Sequence, residues 1–117
     1  MPDFMLFLHE QTTFRLPGTS RDEVTRIINE YSAWAMKMRD EGRYVGSNKL
    51  TDDPGKIIRP KGGKAVTTDG PYAETKEIVS GYFCIKAANY EEAVSIAQGC
   101  PHLKYGGEIE VRMIHEL

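Results

Sequence analysis

This chain of 117 residues contains few cysteines and carries little net charge. Its two cysteines, Cys84 and Cys100, lack CxxC spacing, so neither a structural zinc site nor a dithiol redox centre is indicated. Such sparse cysteine use is typical of the reducing cytoplasm, where we expect the protein to be found. The formal net charge of −2 favours neither nucleic acid nor an anionic membrane as a partner.

Long apolar runs and common catalytic motifs are also missing. No segment approaches the roughly 18 apolar residues of a membrane-spanning helix, and the first residues lack the basic region of a signal peptide. Without HxH, HxxxH or HExxH spacing, and without GxGxxG or GxSxG, we expect neither a metal nor a cofactor. The composition, 40% hydrophobic and 27% charged, is that of one soluble globular domain over residues 1–117.

Hydrophobic periodicity predicts elements in the order β-α-β-hairpin-β-α-β. The first helix follows a capping box at residues 20–23 and ends at Gly42, and the second begins at Asn89 and is stopped by Gly99 and Pro101. The predicted strands cover residues 3–9, 43–50, 78–86 and 108–115, with a hairpin formed by residues 56–59 and 64–68. This order is the split βαβ, ferredoxin-like pattern, an α+β fold with both helices on one face of an antiparallel sheet.

The sheet face opposite the helices is predicted to be bare. The first strand is apolar on both sides, which is typical of a strand buried on both faces. On the strand over residues 78–86, alternation puts Val79, Phe83 and Ile85 on one face, and Ser80, Tyr82 and Cys84 on the other. A bare face with such apolar content is unusual for a monomer, so we predict a homodimer packed sheet to sheet about a two-fold axis.

An ordered polar loop follows the predicted hairpin, where Asp69-Gly70-Pro71 precedes Glu74, Lys76 and Glu77. One interpretation is structural, with the Asp69 carboxylate accepting hydrogen bonds from its own turn. The other makes Asp69 a general base or ligand contact, because neighbouring charges can shift its pKa. The sequence alone leaves both interpretations open.

Two further groups of polar residues are candidates for a site. Glu110 and Arg112 point to the same face of the last strand, where they form either a ligand-binding pair in a desolvated cleft or an ordinary surface ion pair. His9 ends the first strand and His102 follows the second helix, so the fold can bring them together at a cleft edge. A histidine there is a plausible acid–base group, although most single histidines are structural.

The run Asp69-Gly-Pro-Tyr-Ala-Glu-Thr-Lys-Glu77 closely resembles the signature of the DGPF group of YCII-related proteins, with Tyr72 in place of Phe. Gly81-Tyr82-Phe83, Glu108–Arg112 and Arg39–Gly42 resemble other parts of the same family, so the resemblance covers nearly the whole chain. It implies a ferredoxin-like fold that forms a dimeric α+β barrel. It also implies an enzyme-like cleft, and for DGPF-type proteins a link to extracytoplasmic-function sigma factors.

The resemblance does not extend to the histidine and acid that line the cleft in other family members. Those positions fall near Tyr31 and at Cys100 in this chain, so that pair is not carried over. Tyr31, together with Trp34 and Tyr44, is interpreted as a core or interface aromatic residue.

The leading hypothesis is a cofactor-independent small-molecule enzyme or ligand-binding protein. Its cleft would lie between the sheets of a dimer, lined by Asp69, Tyr82, Glu110 and Arg112, with His9 and His102 near the edge. Asp69 or His102 would move a proton, and Arg112 would hold an anionic group of the substrate. The alternative hypothesis is a non-catalytic regulator or partner of an extracytoplasmic-function sigma factor.

Overall fold

The structure, a computed structural model, describes residues 1–11, 20–51, 53, 55–69 and 77–117. Along the chain the elements are β1 (Asp3–Gln11), α1 (Arg21–Asp40), β2 (Tyr44–Lys49), β3 (Lys56–Lys61), β4 (Lys64–Asp69), β5 (Glu77–Lys86), α2 (Tyr90–Ala97), α3 (Pro101–Lys104) and β6 (Glu108–Met113). Within these residues, no helix is both long enough and apolar enough to cross a membrane.

An antiparallel sheet of four strands forms the body, in the order β2-β5-β1-β6. The hairpin β3-β4 forms a separate two-stranded sheet. β1 and β5 are the two interior strands of this sheet, and both are rich in apolar residues. The prediction of an α+β, ferredoxin-like fold is confirmed.

The core lies between α1, α2 and one face of the sheet. Phe4, Leu6 and Ile85 are fully buried, and the ring of Trp34 meets that of Phe83 edge to face at 4.9 Å between centroids. Burial of each large apolar side chain contributes about 1.5–3 kcal/mol. This packing fixes α1 across the sheet and leaves another side of the helix, from Val24 to Arg39, to border a cavity.

Capping residues set both long helices. Ser20 Oγ accepts a hydrogen bond from the Glu23 backbone N–H at 3.1 Å, and Asn89 Oδ1 accepts one from Glu92 N–H at 2.9 Å. Gly42 follows the end of α1 with φ of 72°, a conformation that glycine adopts without strain. These starts, and the end at Gly42, agree with the sequence prediction.

A β-bulge in β5 changes the predicted faces of this strand. Leu8 lies opposite Gly81 but His9 lies opposite Val79, so Ser80 is an extra residue without a counterpart on β1. The alternation therefore reverses at Ser80. Ser80 is buried and its hydroxyl donates to the Leu8 carbonyl at 3.2 Å, whereas the prediction that Val79 shares a face with Phe83 and Ile85 is wrong.

A short helix, α3, occupies a position where the sequence predicts only the end of a helix. The preceding helix α2 ends at Ala97, with Gln98 as its C-cap, and Pro101 begins α3, since its missing N–H costs nothing at a first helical position. The last strand ends at Met113 rather than at residue 115, although the Ile114 N–H still donates to the Asp3 carbonyl at 2.8 Å. The short helix α3 is important for the site because it carries His102.

Candidate functional site

A cavity of about 750 Å³ lies between α1 and the helix-facing side of the sheet. This volume falls within the range of about 300–1,000 Å³ that is typical of small-molecule sites. Its walls are mainly apolar or aromatic, formed by Leu8, Val24, Ile27, Ile28, Tyr31, Ala35, Met36, Tyr44, Tyr82, Phe83 and Tyr105. The polar side chains that border it are Glu10, Ser32, Arg39, Ser47, Asn48, Lys49, Ser80 and His102.

His102 lies at one end of this cavity with only 2% of its surface exposed. Its Nε2 atom is 2.9 Å from the backbone oxygen of His9. A carbonyl oxygen can only accept, so Nε2 carries the proton and donates it to this bond. In the neutral ring the other nitrogen, Nδ1, is then an acceptor.

The acceptor Nδ1 of His102 faces the hydroxyl of Tyr31, at 3.0 Å. Tyr31 comes from the middle of α1 and is half-buried, and the two rings meet edge to face with centroids 6.3 Å apart. Burial raises the pKa of the Tyr31 phenol, and the nearby Cys100 and Glu10 raise it further. Tyr31 therefore stays protonated and donates its O–H to His102. The cavity ends in a chain of two hydrogen bonds, from Tyr31 through His102 to the backbone of β1.

The backbone of Gly107 packs against the His102 ring. A Cβ atom added at Gly107 would lie 2.1 Å from Nε2 of His102, far inside van der Waals contact. The Gly107 N–H also donates to the His102 carbonyl at 3.1 Å. The imidazole is thus fixed by a hydrogen bond at each nitrogen and by the backbone beside it.

The opposite end of the cavity carries positive charge. Arg39, in the last turn of α1, places its guanidinium over the ring of Tyr44, 5.3 Å from the centroid. The Tyr44 hydroxyl is 2.7 Å from Ser47 Oγ, which fixes this ring on the edge strand β2. Lys49 borders the same cavity, and its Nζ donates to the Leu50 carbonyl at 2.6 Å.

The predicted residues His9, Glu110 and Arg112 lie together on the open face of the sheet. His9 Nε2 is 2.9 Å from Glu110 Oε1, and Arg112 donates to Glu110 Oε2 at 3.3 Å. These two contacts lower the pKa of Glu110, the bond to His9 being the larger cause. His102 Nε2 lies 2.9 Å from the His9 backbone oxygen, but the two side chains lie on opposite faces of the sheet. Their predicted place at the edge of one cleft stays a prediction.

Tyr82 lies near this group, opposite Phe7 of β1, and its hydroxyl accepts a hydrogen bond from Asn48 at 2.8 Å. Tyr82 also borders the cavity, as does Asn48. Of the six site residues predicted from the sequence, His102 lies at the cavity on the helix-facing side. The Tyr82 side chain lies on the open face with Phe7 and Asn48, although Tyr82 also contributes to the cavity lining. The predicted cleft between two sheets needs a second chain and stays a prediction.

Asp69 is the last residue of the hairpin strand β4, and its carboxylate pairs with Lys56 on β3. Both side chains are largely exposed, at 79% and 68%, so the pair is screened by solvent and contributes little to stability. Gly70, Pro71, Glu74 and Lys76 lie outside the described residues. The proposed acid–base role of Asp69 stays a prediction.

Tyr31, Arg39 and Gly107 are the residues that sequence reasoning missed. Tyr31 fits the apolar stripe of α1, so it reads as a core aromatic residue. The sequence contains only a weak indication that Tyr31 and Arg39 border the same space. Tyr31, Ala35 and Arg39 are spaced four residues apart and so share one side of a helix. Nothing local, however, connects Tyr31 to His102.

The described residues do not include a group of three or more His, Cys, Asp or Glu side chains placed to hold a metal ion. Every buried side-chain nitrogen or oxygen in the same part of the chain has a hydrogen-bond partner. The buried polar side chains at the cavity are therefore already hydrogen-bonded, and apolar walls lie between them. This arrangement suits an organic molecule that contacts the Tyr31 hydroxyl and the Arg39 guanidinium.

Comparison with known proteins gives the family. A model of the YCII-related domain matches residues 4–117, almost the entire chain. The chain belongs to the YCII-related family. This agrees with the resemblance of the Asp69–Glu77 run and confirms the family prediction.

A relative of this YCII-related protein has been found in Rhizobium meliloti (strain 1021), where it is described as an uncharacterised protein. The two are 30% identical over 95 residues, which make up 80% of this chain and 77% of the relative. The match supports the family assignment. It brings no activity with it, so the function of this YCII-related protein has to be argued from its own site.

Proposed function

We propose that this protein binds a small organic molecule in the cavity beside α1 and transfers a proton to or from it without a cofactor. The observation that carries the proposal is the buried His102, which accepts a hydrogen bond from Tyr31 at the end of a largely apolar cavity. A buried polar pair is costly unless it is hydrogen-bonded. Here it is fully bonded and still reachable through the Tyr31 oxygen.

The hydrogen-bond chain supports a defined proton path. A ligand O–H or acidic C–H gives its proton to the Tyr31 oxygen while Tyr31 passes its own proton to His102 Nδ1. His102 becomes an imidazolium that donates from Nδ1 to Tyr31 and from Nε2 to the His9 carbonyl. The reverse steps return the proton to another atom of the ligand. Tyr31 need never ionise in the resting state, which agrees with its raised pKa.

We also propose that the protein is a homodimer joined through its open sheet face. Met5 and Phe7 of β1 are only partly covered there, beside Tyr82, Glu110 and Arg112 of the neighbouring strands. Apolar side chains surrounded by such polar groups are typical of an interface. The regulatory link to a sigma factor remains a prediction that rests on the resemblance of the Asp69–Glu77 run.

Binding is tested by differential scanning fluorimetry against small carboxylic acids, phenols and lactones. A ligand that binds the folded protein raises its melting temperature. We expect Tyr31→Phe to reduce or abolish the shift. Tyr90→Phe is the matched control, since its hydroxyl accepts from the Met113 N–H outside the cavity. Equal shifts in both variants would contradict the placement of the site.

Proton transfer is tested separately with any compound that binds. In D₂O, NMR follows the exchange of an acidic C–H of the ligand for deuterium. We expect exchange with the wild type and its loss in Tyr31→Phe and His102→Ala. Exchange that survives in Tyr31→Phe but disappears in Asp69→Asn would move the assignment to the hairpin. Binding without exchange would identify a ligand-binding protein rather than an enzyme.

A further inference from the structure

The two ends of the cavity differ in charge. At the end formed by the last turn of α1, Arg39 borders the cavity and stacks on Tyr44. Among the residues that the structure describes, no carboxylate forms an ion pair with Arg39. The guanidinium keeps N–H donors in a planar fork that matches a carboxylate.

The end formed by Tyr31 and His102 has the opposite character. The Glu10 side chain borders the cavity there, and it is close enough to affect the Tyr31 phenol. A ligand carboxylate at this end would be repelled by the negative charge of Glu10. An uncharged hydroxyl or carbonyl oxygen would instead find the Tyr31 O–H and the buried His102 beside it.

The helix fixes the distance between the two ends. Tyr31, Ala35 and Arg39 lie four residues apart, so they follow one another along the same side of α1. With a rise of about 1.5 Å per residue, Tyr31 and Arg39 are separated by about 12 Å along the axis. Between them the walls are apolar, with Ala35 and Phe83 among the residues that border the space.

We propose that the ligand is a monocarboxylate with an apolar body and a hydroxyl or carbonyl oxygen at its far end, and that Arg39 selects it by binding the carboxylate. This inference rests on the proposed function and names its substrate class. The carboxylate lies at the Tyr44 end, the apolar body lies against α1 and Phe83, and the far oxygen contacts Tyr31. Arg39 is then a specificity residue, distant from the proton path.

The test uses pairs of probes that differ in one group. Isothermal titration calorimetry compares 4-hydroxycinnamate, 3-(4-hydroxyphenyl)propionate and 4-hydroxybenzoate with the amide of each. We expect the two longer acids to bind about three- to tenfold more tightly than their amides, a modest ratio because Arg39 is exposed. 4-Hydroxybenzoate should show a smaller ratio, since it is too short to reach both ends. High salt should reduce every ratio.

Arg39→Gln should bring the acid-to-amide ratio close to one. Lys37→Gln is the matched control, because it removes another cation from the last turn of α1 but does not border this cavity. Tyr31→Phe should weaken the binding of the hydroxylated acids relative to that of cinnamate, which lacks the hydroxyl. The ratio between the affinities of each acid and its amide should be preserved.

Several outcomes would overturn the inference. These are equal binding of acids and amides, equal loss of the ratio in Arg39→Gln and Lys37→Gln, or no binding of any acid in the series. Binding of the neutral amides alone, still dependent on Tyr31, would overturn this inference and leave the proposed function standing. Loss of the Tyr31 dependence with an intact acid-to-amide ratio would overturn the proposed function and the contact of the far oxygen with Tyr31, and would leave only the selection of the carboxylate by Arg39.

Discussion

Gly107 packs directly against the imidazole of His102, with room for a hydrogen but not for a methyl group. A Cβ atom at this position would lie 2.1 Å from Nε2 and 2.4 Å from Cε1 of the ring. The contact falls on the same ring atom that donates to the His9 carbonyl. The chain that leads from α3 into β6 therefore sets the orientation of the candidate acid–base residue.

Gly107→Ala should displace His102 and break the hydrogen bond to the His9 carbonyl. Overpacking of a buried site typically costs about 1–3 kcal/mol, and urea unfolding measures this change. NMR of the histidine ring nitrogens should show that the fixed tautomer is lost. Gly46→Ala is the control, since a Cβ there meets nothing within 4 Å. An unchanged His102 spectrum in Gly107→Ala would contradict the role of this contact.

Gly81 allows a second close approach, between β5 and the edge strand β2. A Cβ atom at Gly81 would lie 2.7 Å from the backbone oxygen of Asn48. Because that neighbour is backbone, it cannot move aside without disturbing the ladder. Gly81→Ala should therefore destabilise the fold by about 1–3 kcal/mol and weaken ligand binding, because Asn48 and Lys49 border the cavity. A melting temperature equal to that of Gly46→Ala would contradict this expectation.

Glu92 should make the free energy of unfolding depend on pH in the acidic range. Arg43 donates to its carboxylate at 2.7 Å and the Ala88 N–H donates at 3.0 Å, and these bonds lower the pKa of Glu92 from its ordinary value of 4.5. A carboxylate with a lowered pKa stabilises the folded state above its unfolded pKa, and this contribution is lost as the pH falls through the folded pKa.

Glu92→Gln should therefore flatten the decline of the free energy of unfolding below pH 4.5. Denaturant unfolding at a series of pH values measures the slope. Glu91→Gln serves as the control, because it removes an exposed carboxylate from the same first turn of α2. Equal slopes for the wild type and Glu92→Gln would show that the bond to Arg43 does not contribute.

The fold was predictable because apolar alternation and capping residues are local signals. Ser20 and Asn89 accept the hydrogen bonds expected of helix caps, and the apolar β1 lies inside the sheet. The bulge at Ser80 was not predictable, since it depends on how β1 and β5 pair rather than on either strand alone. A one-residue shift then moved Val79 to the other face.

The candidate site was predicted only in part, for a related reason. His102 stood out as a titratable residue, but α3 has four residues, too few for a helical period to be recognised. Its partner Tyr31 lies 71 residues away in sequence and fits an apolar stripe. The cavity is a property of how α1 crosses the sheet, which packing decides.

The proposed dimer gives the last prediction. Phe7 lies between Tyr82 and Glu110 on the open face of the sheet, so it would be central in a sheet-to-sheet interface. Phe7→Asp should weaken dimerisation about a hundredfold or more, since an unpaired buried charge costs several kcal/mol. Light scattering after size exclusion measures the mass. Val94→Asp, an exposed change on α2, should leave the dimer intact. A wild type that is monomeric at micromolar concentration would contradict the proposed interface, in which a second chain covers Phe7.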